Sequence, residues 1–390
     1  MRLTLPNCLP LALLLAVGPL SAAEPRPISG KVSAETFVYT DDNHVDVFTP
    51  AIAGTAENIL AGWSVTGHYL VDVVTAASPD IVASASPPFR EMRHDAALGG
   101  TYRFYSDLEV AADASISVEP DYLSISGGAR LAMDLAQKNF TPFLGYSYRN
   151  DTIGRVGTTF DVFHRKFQTH SLTTGMTVVL DRSTLLTVQV DGILERGDQS
   201  KPYRYVPLFE VGTKNQLPPG STVDQVNAIR LDARPLEQLP LERDRYALTA
   251  RIVRRFGQAT LRAEERIYMD SWGLKATTTD IRFMKDVGRY LTLWPHARLH
   301  AQTGTNFWRR VYEVERPQSG LVNIPPIRTG DRELGPLVMV GIGGGASIQF
   351  SSRFAARMQV DGQWTSYLDA LYVARRLGLF TALSVEASFD

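Results

Sequence analysis

Cysteine is nearly missing from this chain: in 390 residues there is one, Cys8. It lies inside an N-terminal apolar stretch, so a processed chain would hold no disulfide, thiol nucleophile or thiolate metal site. An excess of one charge is missing as well, because 40 Lys and Arg offset 41 Asp and Glu and leave a formal net charge of -1. With neither a global basic field nor a long like-charge run, nucleic acid is not an expected partner. Beyond the N-terminus no segment is apolar over the roughly 20 residues that a membrane-spanning helix requires. Stability must come from strand pairing and side-chain burial alone.

The N-terminus is organised differently from the rest. Arg2 precedes an apolar run at 9–17, and Ser21 and Ala23 place small residues ahead of Glu24. That run is too short to cross a bilayer, so residues 1–23 are expected to be a cleavable signal peptide and 24–390 a single exported domain. Cys8 sits too early, and lacks the small-residue context, to accept a lipid anchor.

After this segment the dominant pattern is period-two alternation over stretches of about ten residues. Leu108, Val110, Ala112, Ala114, Ile116 and Val118 fall on one face, with Glu109, Asp113, Ser115, Ser117 and Glu119 on the other. Pro120-Asp121 turns the chain, and Leu123, Ile125, Ala129, Leu131 and Met133 then alternate with Ser124, Ser126, Arg130 and Asp134. Similar segments run through Leu186–Val190–Leu194 and through Phe354, Met358, Val360 and Trp364. A soluble sandwich would alternate too, but connection lengths separate the two readings. Counting gives about sixteen strands, with about fourteen as the alternative, and one side carries only tight turns, at 105–107, 136–139, 181–183, 257–258, 285–288 and 351–352. The other side takes the long loops 76–89, 152–163, 197–242 and 304–334. This one-sidedness is expected of an antiparallel up-and-down β-barrel in the bacterial outer membrane, with short periplasmic turns and long extracellular loops.

The C-terminal stretch agrees: Leu379, Leu383, Val385 and Phe389 alternate with Ser384, Glu386 and Ser388. It resembles the terminal signal that the barrel-assembly machinery reads, with Asp390 as an added residue after the aromatic. Tyr102 with Phe104, Tyr146 with Tyr148, and Trp63 with Tyr69 are expected near strand ends as an interfacial girdle.

Loop-edge motifs add a family likeness. They are Tyr39-Thr40-Asp41-Asp42 with the following 45–50 segment, Ser78-Pro79 with Ser86-Pro87, Arg93-His94, Lys201-Pro202-Tyr203-Arg204-Tyr205-Val206-Pro207, and Tyr268-Met269-Asp270-Ser271-Trp272-Gly273. In these the chain resembles the bacterial family catalogued as domain of unknown function 3570, whose members are predicted outer-membrane barrels. The resemblance implies that fold and location, and it carries over no catalytic residues.

If apolar faces meet lipid, the opposite faces line an interior rich in arginine. The expected lumen residues are Arg245, Arg251 and Arg255, then Arg262, Glu264 and Arg266, then His296, Arg298 and His300, and last Arg357 and Asp361. They form either a positively biased wall favouring anionic or polar solutes, or a set of charges paired with Glu264, Asp270, Asp361 and Glu386 or simply solvated. His296 and His300 are roughly 13 Å apart along a strand, too far to share a metal. No metal or cofactor is expected, and Asp41-Asp42-Asn43 reads as an acidic turn, not a calcium loop. Trp272 is expected at the membrane interface. Glu265 falls on the lipid face, where a charge is costly, which points to a register error in that strand. The proline-rich 197–242 loop is long enough to be functional, folding inward or meeting a partner.

These features lead to a porin-like channel for small polar or anionic solutes, since about sixteen strands enclose a water-filled lumen. A structural or interaction barrel that displays loops or scaffolds envelope proteins is the alternative, and a barrel-embedded lipid hydrolase the third, although no feature singles out a nucleophilic serine. Expected partners are outer-membrane lipid and lipopolysaccharide, the assembly machinery and small polar solutes.

Overall fold

Alternating residues with branched and aromatic side chains on one face favour extended backbone, and successive turns fold the extended segments back on each other. In the computed structural model, which describes residues 28–84, 89–105, 107–315 and 322–389, this yields eighteen strands. Nine are β1 (Ser29–Asp41), β2 (Val45–Asn58), β3 (Trp63–Ala76), β4 (Phe89–Arg103), β5 (Leu108–Glu119), β6 (Tyr122–Met133), β7 (Phe140–Ile153), β8 (Arg165–Asp181) and β9 (Thr184–Gly197). The others are β10 (Leu208–Glu210), β11 (Glu242–Phe256), β12 (Ala259–Asp270), β13 (Lys275–Val287), β14 (Leu291–Gln302), β15 (Tyr312–Val314), β16 (Leu337–Gln349), β17 (Phe354–Tyr367) and β18 (Arg375–Phe389). The expected signal peptide, Ser86-Pro87, Ser106 and Asp390 lie outside the described residues.

All but β10 and β15 join one closed antiparallel barrel of sixteen strands, each paired with its neighbour in sequence. Closure is made by β1 against β18, in register from Gly30 opposite Phe389 to Asp41 opposite Gly378. The expected barrel and its strand number are therefore present. The tight turns share one rim, as expected. The turn after β13 is shorter than its sequence suggests, since Lys285–Val287 remain paired with β14.

The outward face is apolar from strand to strand, with Leu98 62% and Ile342 69% exposed. For a soluble protein that belt would be untenable, and in a transmembrane barrel it is the lipid contact. Trp63, Tyr102 and Phe104 cluster at the tight-turn ends of β3 and β4, where Trp63 pairs across from Tyr102 and the Tyr102 and Phe104 rings lie 4.7 Å apart. Tyr69 and Tyr146 instead sit midway along β3 and β7, where their hydroxyls meet His94 Nδ1 at 2.9 Å and His170 Nδ1 at 2.8 Å.

At the other rim, the two longest loops fold together into a cap with its own core. Parallel pairing of β10 with β15 places Val206, Leu208, Tyr312 and Val314 against Leu231. The β3–β4 loop carries α1 (Pro79–Ser84), and a second cluster packs Phe209, Leu217 and Val311 on Val226 of α2 (Val223–Ile229) and on Leu371 of the last loop. A capping box starts α2, with Thr222 N donating to Gln225 Oε1 at 2.8 Å and Gln225 N to Thr222 Oγ1 at 3.2 Å. The cap reaches over the mouth. Arg234 donates to the Ala83 carbonyl of the β3–β4 loop at 3.3 Å, and Tyr203 to Asp121 Oδ2 of the β5–β6 turn at 2.6 Å. Burial, reinforced by donation to that carboxylate, pushes the Tyr203 phenol up to about 12. Inside the cap, burial of Asp331 is outweighed by Arg204, whose Nη1 lies 2.6 Å away, and the carboxyl is held below its usual range.

Two outcomes follow from this architecture. Ile342→Arg, near the middle of β16 on the lipid side, should destabilise the barrel by about 2–4 kcal/mol in unfolding from lipid vesicles; an unchanged midpoint would put that face in water. The Asp331 carboxyl, with its folded pKa depressed, stabilises the cap fully above the ordinary carboxylate value and loses that contribution as pH falls through the folded one. Hydrogen exchange of the 200–240 segment, corrected for intrinsic rate, should stay constant from neutral pH to about 4 and rise below it, and Arg204→Ala should produce the same rise at neutral pH.

Candidate functional site: the lumen wall beneath the cap

Residues on the concave side of a barrel converge, so side chains two strands apart can touch there and nowhere else. Three such contacts fix the inward face. Asp191 of β9 reaches over β11 to Arg266 at 3.0 Å, Arg255 of β11 over β12 to Asp286 at 2.7 Å, and His296 of β14 over β16 to Asp361 at 2.7 Å. With these anchors and the strand register, every expected lumen residue lies on the concave face: Arg245, Arg251 and Arg255 on β11, Arg262, Glu264 and Arg266 on β12, His296, Arg298 and His300 on β14, Arg357 and Asp361 on β17.

Most of these charges are paired, largely with partners that were not anticipated. Arg245 Nη1 is 2.7 Å from Glu195 Oε1, and Arg251 Nε donates to Glu264 Oε2 at 2.5 Å. Glu264 Oε2 also accepts from Arg262 at 3.2 Å, and Arg298 is 3.6 Å from Asp280. Of the partners expected for these arginines only Glu264 serves them. Asp270 holds Arg243 at 2.5 Å, Asp361 holds His296, and Glu386 holds Lys31 at 2.7 Å. Asp191, Glu195, Asp280 and Asp286 could have been found from the alternation of their own strands, whose inward phase they share. Among the described residues Arg357 and Arg282 have no ion-pair partner, and Arg282 escaped the sequence reading altogether.

His296 is clamped rather than free. Its Nδ1 lies 2.7 Å from Asp361 Oδ1 and its Nε2 3.0 Å from Asp280 Oδ2, so each contact needs a proton between nitrogen and oxygen. The bridge to Asp361 passes over Gly343, where a Cβ would come within 2.2 Å of Asp361 Oδ1. Gly345 does the same for Trp294, whose ring would lie 2.4 Å from a Cβ there. Two glycines in β16 thus let large side chains lie flat on the wall. His300 is engaged separately by Thr278 at 2.8 Å, away from His296, and no cluster of metal-binding residues forms among the described residues.

The opposite wall carries the other sign. Asp72 of β3, Glu91 and Asp95 of β4, and Asp113 and Glu119 of β5 share the inward phase, with Arg93 donating to Asp72 through Nε at 2.7 Å. The lumen is therefore acidic along β3–β5 and arginine-rich along β11–β14. Such opposed walls can orient a dipolar or charged solute by field alone.

Two placements differ from expectation. Glu265 does face lipid and its strand keeps the expected register, because Thr277 and Thr279 of β13 donate to its two carboxyl oxygens, the second at 2.6 Å. Trp272 is not an interface anchor. It is 4% exposed, turned by Gly273 at φ 86° under the cap, with Nε1 donating to the Glu242 carbonyl at 2.8 Å and Arg243 stacked 4.3 Å over the ring. The Asp41 turn behaves as expected, its Oδ1 accepting from Asn43 N at 2.9 Å and Val45 N at 3.0 Å.

Among solved structures the chain is similar to the siderophore receptor PirA from Acinetobacter baumannii (12% identity, TM-score 0.44, covering 87% of this chain) and spans 53% of that receptor's length. It is also similar to a bacterial polysaccharide outer membrane secretin (8% identity, TM-score 0.45, 93% of this chain and 98% of that one). A third is the CymD monoaromatic hydrocarbon channel, at 9% identity and TM-score 0.43, covering 93% of this chain and 89% of that one. At this distance the likenesses carry no argument about activity. No curated protein matches the chain. The family model described as "Protein of unknown function (DUF3570)" matches residues 48–387, nearly the whole barrel, and the chain belongs to that family.

Proposed function

We propose that this protein is an outer-membrane channel that admits small polar or anionic solutes, its capped rim facing outward and its tight turns facing the periplasm. The observation that carries this reading is the lumen itself: sixteen strands surround two walls of opposite charge, and half-exposed guanidiniums such as Arg255, Arg298 and Arg357 remain open to solvent inside. A barrel of that circumference encloses room for water and small solutes. Charges that face such a lumen act at close range on whatever passes. The cap makes the channel selective at its mouth, since a solute must pass a folded body and not loose loops.

The same cap favours a second reading, a barrel whose mouth is covered so that loops can be displayed to other envelope proteins. The contact of Arg234 with Ala83 on the far side of the mouth is the observation behind it.

Planar-bilayer recordings on the purified protein separate the two. Stable single-channel steps are expected, and replacing Arg251, Arg262 and Arg298 together by glutamine should lower the anion-to-cation permeability ratio severalfold. Protein that inserts without discrete steps would favour the display reading, and unchanged selectivity in the triple variant would remove the basic wall from the mechanism.

A further inference from the structure

Arg262 and Arg282 stand directly opposite each other on paired strands, both on the lumen face. Like charges in that position repel and need an answering charge. Glu264 supplies only part of one, because its Oε2 is shared between Arg251 and Arg262. For Arg282 nothing in the wall answers: among the described residues its guanidinium makes neither an ion pair nor a hydrogen bond. The Nε atoms of both arginines are shielded from solvent and donate to nothing. The nearest acids are committed elsewhere. Asp280 turns to His296 and Arg298, Asp286 to Arg255, and Asp361 to His296 across Gly343. Two buried donors of one sign, side by side and without an acceptor, are a local deficit of negative oxygen.

We propose that Arg262 and Arg282 form an oxyanion-binding site on the lumen wall, one that takes a phosphate group, free or borne as a monoester on a solute. Two guanidinium forks on facing positions of paired strands offer several N–H donors, which a tetrahedral dianion satisfies better than a halide or a single carboxylate does. Arg298 and Arg251 lie on the next inward positions toward the cap and Arg255 on the next one toward the tight turns, so the pair sits within a run of arginines and is not an isolated spot. The site deepens the channel reading, on which it rests for the route by which a solute arrives. Its chemistry does not depend on conduction.

The test uses the full-length protein in detergent and in planar bilayers, with inorganic phosphate as probe. Phosphate should broaden in phosphorus NMR on adding wild-type protein, and millimolar phosphate should reduce the chloride current, whereas acetate at equal ionic strength should not. Arg282→Gln should raise the half-effective phosphate concentration by about tenfold in both measurements, since one of two charged forks is lost. Arg282→Lys should recover only part of the effect, because a lysine lacks the fork. Arg262→Gln, which relieves the same repulsion, should act in the same direction, and unchanged heat-dependent gel migration of each variant verifies folding. Equal phosphate binding by wild type and Arg282→Gln, or binding by neither, overturns the site even if conductance steps are present. Conversely, NMR broadening lost in Arg282→Gln without any conductance steps would sustain the site and reject the channel.

Discussion

Every backbone N–H and C=O that lies in hydrocarbon must find a partner in the protein, and for a sheet this is possible only if it has no free edge. The pairing of β1 with β18 meets that condition and everything else follows from it. A closed sheet has one convex and one concave side, so period-two alternation becomes a division between lipid and lumen. It also shortens distances on the concave side until residues two strands apart meet. The bridges from Asp191 to Arg266 and from His296 to Asp361 exist for that reason. Where hydrocarbon does meet a carboxylate, at Glu265, the neighbouring strand supplies two threonine hydroxyls to it.

The sequence made the wall legible because the wall repeats. Segments such as 108–135 alternate so cleanly that face, strand number and the side of each turn can be read directly. The lumen residues followed from their phase, and the structure places them on the concave face. Their partners did not follow, since which charges meet depends on register between strands far apart in sequence. Arg282 is illegible for a related reason. Its strand carries Thr277 and Thr279 outward and Thr278 and Asp280 inward, so both faces are polar and the phase is blurred.

The cap was legible only as length and proline content. Its core joins segments roughly one hundred residues apart, and neither β10 nor β15 is long enough to register as a strand on its own. Residue type alone puts Trp272 at the interface, yet the cap covers it. An aromatic near a strand end in a barrel thus has two burial routes, lipid or folded loop, and only the neighbouring loop decides between them. The lumen's acidic side is legible only in part: Asp113 and Glu119 stand on the polar face of the clean 108–119 alternation, whereas Asp72, Glu91 and Asp95 lie in strands whose alternation is less regular.

The three-rung ladder between β10 and β15 has a mechanical meaning. It fastens the connection rooted after β9 to the one rooted after β14, so these two flaps form a single leaf with roots several strands apart. Gly197, at φ 119°, stands where the first flap leaves the wall and accepts a torsion closed to other residues. Such a leaf cannot fold back one half at a time. It can move only as a body, and the hydrogen bonds of Tyr203 to Asp121 and of Arg234 to the Ala83 carbonyl hold its free margin to the rim.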